Sequence, residues 1–389
     1  MAVEFVDELA DGTKGAALPL IRVGLHLNYA QIGLLIAIPL LAGSLLELPL
    51  GLLAGQGRAR QRLVLAGGAV VIGSLAAVAA ARSYGMLMLA FVAFFPASGA
   101  FVSLSQAALM DAAPGRQQQR MAAWNLAGSA GAVCGPVLLV GVLAAGGGWR
   151  SAYLLIAAAA GAALVAAAAW GPARQPPTAP ESDPPEADAP AAGGGRRPRA
   201  REVAAALRTG DTARWLVLLE ISDLLLDVLT GYIGIYLVDV AHASPAEAAA
   251  GVAIRLGAGL AGDAAFVALS RRAAGPAVLR VSAVAACALY PAFLLTPWLP
   301  ARLAILAVLS ALTACWYPVI QAGLYASLPG QSGIAVFFAS AAGLLGAAGP
   351  LTVGFVAQRA GLPWALAGLA AAPVLVLTVL PRAARARSR

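Results

Sequence analysis

The chain has 389 residues, of which 60% are hydrophobic and only 11% charged, with 26 basic and 18 acidic side chains, a net charge of +8 and a mean hydropathy of +0.81. A soluble domain carries roughly a quarter charged residues, so too few remain here to coat a water-facing surface. Soluble, disordered, collagen-like and disulfide-stapled classes are excluded, and the composition is that of a polytopic membrane protein. The basic excess belongs to its loops and does not indicate nucleic acid.

A membrane span needs about 20 apolar residues. Apolar segments lie at 3–23, 31–54, 62–82, 85–110, 120–143 and 150–170, then at 214–238, 248–270, 277–297, 301–327, 333–357 and 361–380. The expected fold is therefore all-α and membrane-embedded, with twelve transmembrane helices in two sets of six. Residues 1–170 form the first bundle and 214–380 the second, with a basic tail at 381–389. Between them, 171–213 is rich in Pro, Ala and acids and reads as a flexible linker; residues 196–208 have the pattern of a short amphipathic surface helix. The three cysteines, Cys134, Cys287 and Cys315, sit inside apolar segments without metal-like spacing and read as small packing residues.

Arginine placement gives the orientation. With both termini and the linker inside, the inner regions hold 19 arginines and the outer loops hold five, Arg22, Arg82, Arg150, Arg302 and Arg359. That bias places the termini in the cytoplasm, in a multi-pass protein of the plasma membrane.

The second half repeats the first. Glu4, Asp7, Asp11 and Gly15 recur as Glu220, Asp223, Asp227 and Gly231, each 216 residues on, and the same offset links His26 with His242, Gly43 with Gly259 and Glu47 with Asp263. Gln106 and Gln321 match at 215, and Gly135-Pro136 and Gly349-Pro350 match at 214. Acids inside spans are too rare for such matches to arise by chance. Six helices return the chain to its starting side, so the repeats are parallel and related by an axis along the membrane normal.

This 6+6 plan with a long central loop resembles the major facilitator superfamily. The stretch ELPLGLLAGQGRARQR is similar to the family's signature in the loop between helices two and three, through Gly51 and the basic run Arg58, Arg60 and Arg62. Gly55 stands where the family has an Asp, and the spacing to the following Gly is one residue short. The run Gly131-Ala-Val-Cys-Gly135-Pro136 resembles the Gly-Pro signature of the superfamily's drug/proton antiporters, and Gly349-Pro350 repeats it. Close packing of small residues explains the same spacing equally well. The resemblance implies that the first helix of each set lines a central cavity.

Eleven charges fall within the spans: Glu4, Asp7, Glu8, Asp11, Lys14, Glu47, Glu220, Asp223, Asp227, Arg255 and Asp263. Each is costly at membrane depth, at least ~2.5–3.5 kcal/mol near the centre. At about 100° per residue, positions 4, 7, 11 and 15 share one face, as do 220, 223, 227 and 231. Two acidic stripes facing one cavity cannot all ionise cheaply, which suits a carrier in which protonation and substrate binding alternate. Asp7, Asp11, Glu47, Asp223, Asp227 and Asp263 are the candidate proton-coupling acids. Lys14 and Arg255 are their charge partners, with Asp227 assigned to Arg255. Glu4 and Glu8 have the alternative of solvation at the inner rim, and Glu47 and Asp263 that of a structural role. Gln106, Gln321, Trp316, Tyr317 and Tyr325 are candidate substrate-cavity residues, the aromatic ones with helix packing as the alternative. His26 and His242, in outer loops, sense pH or serve the loops structurally.

The expected function is secondary active transport by alternating access, as a proton-coupled exporter (antiporter) of small cationic or amphiphilic organic molecules. Proton-coupled uptake of a polar solute or a divalent metal is the alternative, and a membrane sensor without transport a remote one. An enzyme is not expected, because no Ser or Cys within a span has a His at helical spacing. The expected partners are the lipid bilayer, the small-molecule substrate and protons, with no nucleic acid, cofactor or resident metal, in a monomer.

Overall fold

A computed structural model describes residues 1–53, 58–111, 117–169, 210–269, 274–327 and 346–380, and among these every element is a helix. The first six are α1 (Ala2–Gly24), α2 (Tyr29–Leu53), α3 (Arg58–Ala80), α4 (Tyr84–Asp111), α5 (Gln117–Ala144) and α6 (Trp149–Ala169). The linker expected at 171–213 lies outside the described residues up to 209. The second set opens with α7 (Gly210–Asp223), a π-helical turn (Leu224–Val228) and α8 (Leu229–Asp239), which together make one interrupted span. It continues with α9 (Pro245–Leu269), α10 (Gly275–Leu295), α11 (Leu299–Thr313) and α12 (Trp316–Ser327), the last two dividing the expected tenth span at residues 314–315. Then come α13 (Ala348–Ala360), α14 (Leu362–Ala367), a 3-10 turn (Gly368–Ala370) and α15 (Ala371–Val379).

Nine helical stretches among the described residues are long and apolar enough to cross a membrane. The first and seventh spans are missing from that set because they carry the acidic stripes. The eleventh is missing because 328–345 lies outside the described residues.

The internal repeat is visible in backbone detail at the loops that follow the first span of each half. His26 and His242 have φ of 52° and 56°, the only non-glycine residues of positive φ among those described. Each ends its helix in a left-handed turn, a conformation that His tolerates better than bulkier side chains. Leu27 N–H then reaches back to Arg22 O at 2.9 Å, and Ala243 N–H to Leu237 O at 2.9 Å. The next helix starts with a reciprocal capping box in both halves. Asn28 and Gln31 exchange backbone-to-side-chain bonds of 2.9 and 2.8 Å, and their repeat mates Ser244 and Glu247 do so at 2.8 and 3.2 Å.

Within the first half, α1 is pressed against α5 by small residues. A Cβ on Gly131 would stand 2.2 Å from Phe5 O, one on Gly135 2.5 Å from Leu9 O, and one on Gly12 2.1 Å from Ala132 O. In the second half Gly349 faces Val228 and Leu224 in the corresponding register. Backbones brought this close gain dispersion contacts that lipid tails do not offer. The Gly-Pro runs thus seat the fifth span of each half on its first.

A Gly131→Val change should therefore cost about 1–3 kcal/mol through overpacking. Gly141 on the same helix has open space around it. Thermal unfolding in detergent, followed by size-exclusion recovery, should show a lower midpoint for Gly131→Val and an unchanged one for Gly141→Val.

Candidate functional site

The acidic stripes of α1 and of the α7–α8 span face each other across the two halves. Gly15 and Gly234 bring these helices into backbone contact, since a Cβ on Gly234 would lie 2.8 Å from Gly15 O. Nearer the chain termini the two helices part, and Glu4, Asp7, Glu220 and Asp223 are half-buried, with Glu220 Oε1 enclosed. The Asp11 side chain is 56% exposed, and Asp227 is exposed as well. Asp227 lies within electrostatic reach of Arg255, Asp11 and Lys14, so charges of both halves act on one another there.

Each acid of the first stripe has its own partner. Lys14 Nζ sits 2.5 Å from Asp11 Oδ1 and rests over the Phe95 ring, 4.7 Å from its centroid. Asp7 accepts a short bond from the Ser98 hydroxyl of α4. Glu4 accepts from the Trp124 indole of α5 and lies against Gly128, where a Cβ would come 2.7 Å from its Oε1. A small residue is thus needed at Gly128 to leave room for the carboxylate.

In the second half the cation comes from a different helix. Arg255 of α9 is 6% exposed, and no ion pair joins it to Asp227 among the described residues. Its Nη2 donates instead to the Leu226 carbonyl at 2.5 Å, its Nε to the Thr230 hydroxyl at 2.9 Å, and its Nη1 to Ser310 Oγ at 3.4 Å. The reason is the π-turn at Leu224–Val228, which widens the helix and interrupts its regular bonding. The Leu226 carbonyl is served from the side by Arg255 and by Thr230 Oγ1 at 2.5 Å. In a bilayer such a carbonyl needs a protein partner. The corresponding stretch of the first half, 8–12, lies inside the unbroken α1. Thr230 is also the repeat mate of Lys14, so both halves place a cation at the same register.

The remaining candidates scatter. Asp263 is exposed near the end of α9, within electrostatic reach of Cys315 at the α11–α12 break. Gln321 Nε2 donates to the Tyr317 hydroxyl at 3.0 Å, and Tyr317 is 45% exposed. Gln106 Nε2 touches Met121 Sδ at 3.4 Å. Trp316 is fully buried and donates to Ser282 Oγ of α10 at 2.8 Å, which puts it in helix packing rather than on an open wall. Arg60 stands at the start of α3. The side chains of Glu47, Gly51, Arg58 and Tyr325 lie outside the described residues.

Sequence reasoning missed a second charged group. At the end of the bundle opposite the termini, Arg22 Nη1 of α1 pairs with Asp239 Oδ2 of α8 at 2.7 Å. Tyr29 OH of α2 donates to the same oxygen at 2.8 Å, and the Arg22 guanidinium lies 4.5 Å over the Tyr29 ring. Tyr29 N–H donates to Gln358 Oε1 of α13 at 3.1 Å. Beneath this latch, Gly33 and Gly354 pack backbone to backbone, with 2.7 Å from a Gly33 Cβ to Pro350 O. Four helices of both halves are joined at this end. The only sequence signal was an acid and a base at the outer ends of two spans, with no counterpart in the repeat.

Residues 1–329 match the family model of the Major Facilitator Superfamily. The chain belongs to this superfamily. It is a multi-pass membrane transporter rather than an enzyme. A bacterial homologue of the human lysosomal transporter Spinster, in an inward-facing and occupied conformation, has a similar fold at TM-score 0.76 and 14% identity, covering 97% of this chain and 93% of that one. The unoccupied inward-facing form gives 0.73 and 15% over the same shares. The nucleoside transporter NupG gives 0.74 and 14%, covering 97% and 96%. At these identities the likeness is one of fold. No curated protein sequence matches the chain.

Two outcomes test this geometry. Arg255→Ala should lower stability by about 1–3 kcal/mol by removing charged donors from a buried site. Ser310→Ala, which loses only the longest bond, should cost less than about 1 kcal/mol; chemical unfolding in detergent compares them. Asp239→Asn should loosen the latch, and spin labels at the exposed Val23 and Val356 should report a longer, broader distance between the halves.

Proposed function

We propose that this superfamily transporter is a proton-coupled exporter of small cationic or amphiphilic organic molecules, working by alternating access from the plasma membrane with both termini in the cytoplasm. The observation that carries the reading is the pairing of Asp11 and Asp227. They are repeat mates on the first helices of opposite halves, both accessible, and close enough to act electrostatically on one another and on Lys14. Two carboxylates that share one cavity favour a state in which one of them holds a proton, or in which a cation lies between them. Exchange of a proton for a cationic solute at this pair is antiport. The latch at the loop end and the diverging stripes toward the termini correspond to a carrier open to the cytoplasm, the side from which an exporter loads.

Asp11→Asn and Asp227→Asn, reconstituted in proteoliposomes, should each reduce proton movement driven by a lipophilic cation such as tetraphenylphosphonium by more than about tenfold. Asp263→Asn, away from the pair, should reduce it less. Unchanged coupling in both Asn variants of the pair overturns the assignment. Uptake driven by an inward proton gradient, with no counterflow, would replace export by symport.

A further inference from the structure

Lys14 is the single lysine of the chain; the other 25 basic residues are all Arg. Its ammonium sits between two groups that recognise cations. Asp11 Oδ1 lies 2.5 Å away on one side, and the centroid of the Phe95 ring of α4 lies 4.7 Å away on the other. A Cβ on Gly43 would stand 3.3 Å from Phe95 Cβ, so the backbone of α2 supports the ring from behind. A carboxylate beside an aromatic face suits an organic ammonium, which the ring quadrupole attracts. Here the place is taken by an ammonium of the protein itself.

The hold on that ammonium is weak. The Asp11 side chain is 56% exposed and that of Lys14 19%, and ion pairs open to solvent contribute little. Lysine presents a compact charge on a flexible stem, without the planar fork by which Arg engages a carboxylate. The second half differs on each count. Its cation, Arg255, is 6% exposed and tied to Leu226 O, Thr230 and Ser310. Ser310 is the repeat mate of Phe95 at the offset of 215 shared by Gln106 and Gln321, so a hydroxyl stands where the first half has the ring.

We infer that Asp11 and Phe95 form the subsite for the substrate's ammonium group, and that Lys14 is its tethered occupant, displaced when a substrate binds. The inference rests on the reading of the protein as a carrier of organic cations, and adds to it Phe95 as a specificity residue and Lys14 as an internal competitor. An incoming ammonium takes over the carboxylate and the ring together. The lysine is then released on its stem within electrostatic reach of Asp227, the carboxylate that lacks an ion pair. Binding in the first half is in this way felt in the second.

Equilibrium dialysis of the full chain in detergent against benzyltrimethylammonium tests the subsite. Lys14→Met should bind this ion about tenfold more tightly than wild type, and Phe95→Leu about fivefold more weakly. Unfolding midpoints identify a variant that fails to fold, and Lys14→Gln or Phe95→Met then takes its place. Displacement is read on the wild-type chain after reductive methylation with isotope-labelled formaldehyde, which marks Lys14 as the only lysine, together with the Met1 amine. The Phe95 ring should shift the Lys14 methyl resonance upfield, and saturation with benzyltrimethylammonium should return it to the position of free dimethyllysine. Equal affinity in wild type and Lys14→Met, wild-type affinity in Phe95→Leu, or a resonance that stays in place at saturation overturns the inference. So does absence of binding to both wild type and Lys14→Met. The carrier reading is judged separately, by the proton movement that tetraphenylphosphonium drives.

Discussion

A charge at membrane depth must be paired, hydrogen-bonded or reached by water, and the first span of each half is built around that requirement. Lys14 answers it on α1 by lying against Asp11 one turn away. In the second half the corresponding position is Thr230, too short and uncharged to do the same. A cation from α9 fills the place, and Thr230 becomes its acceptor. Arg255 is nevertheless spent on the backbone, at the carbonyl of Leu226, so Asp227 is influenced by the guanidinium without being bound to it. The two halves thus present one carboxylate that is ion-paired and one that is not. The two sites are therefore unequal, although the scaffold holding them is duplicated.

The contacts within a half differ in kind from those between halves. Gly128, Gly131 and Gly135 let α5 approach α1 until side chains beyond hydrogen no longer fit, and many such contacts act together over the length of a span. Between the halves, Gly33 with Gly354 and Gly15 with Gly234 approach closely, α9 packs along α5, and the outer end carries a latch of one ion pair and two hydrogen bonds. Arg22 and Asp239 keep part of their surface accessible, and partly solvated ion pairs contribute only about 0–1 kcal/mol each. The latch by itself is therefore a weak tie between the halves.

Much of this was legible in the sequence because it follows from period and offset. The acids at 4, 7 and 11 and their mates at 220, 223 and 227 fell on common faces, and Lys14 was near Asp11 by helical spacing alone. The repeat also carried backbone detail, down to His26 and His242 as left-handed turn residues and the capping pairs that follow them. What could not be read were interactions set by a local change of helix bonding or by distant segments. The π-turn changes the bonding of one helix without shifting the offset of the repeat and without any glycine or proline to announce it, and it is this turn that draws Arg255 to a carbonyl. Trp316 had two readings, stacking on a substrate and packing between helices, which the sequence alone left open. The α11–α12 break turns the indole onto Ser282, while the neighbouring phenol stays exposed. Asp239 sat just past the expected end of a span and so escaped the count of buried charges.

The latch also shows where duplication stops. The repeat mates of Arg22, Tyr29 and Asp239 are Val238, Pro245 and Val23, none of which can form an ion pair or donate from a side chain. A twofold-symmetric latch would need a second Arg at position 238 and a second Asp at position 23. The sequence keeps one set, and a single Asp239 carboxylate collects bonds from α1 and α2 together. Neutralising that one oxygen pair would release two helices of the first half at once, whereas removing either donor would leave the other in place. Closure at this end is thus concentrated on one carboxylate, while the capping boxes and glycine contacts beneath it persist whether the latch is made or broken.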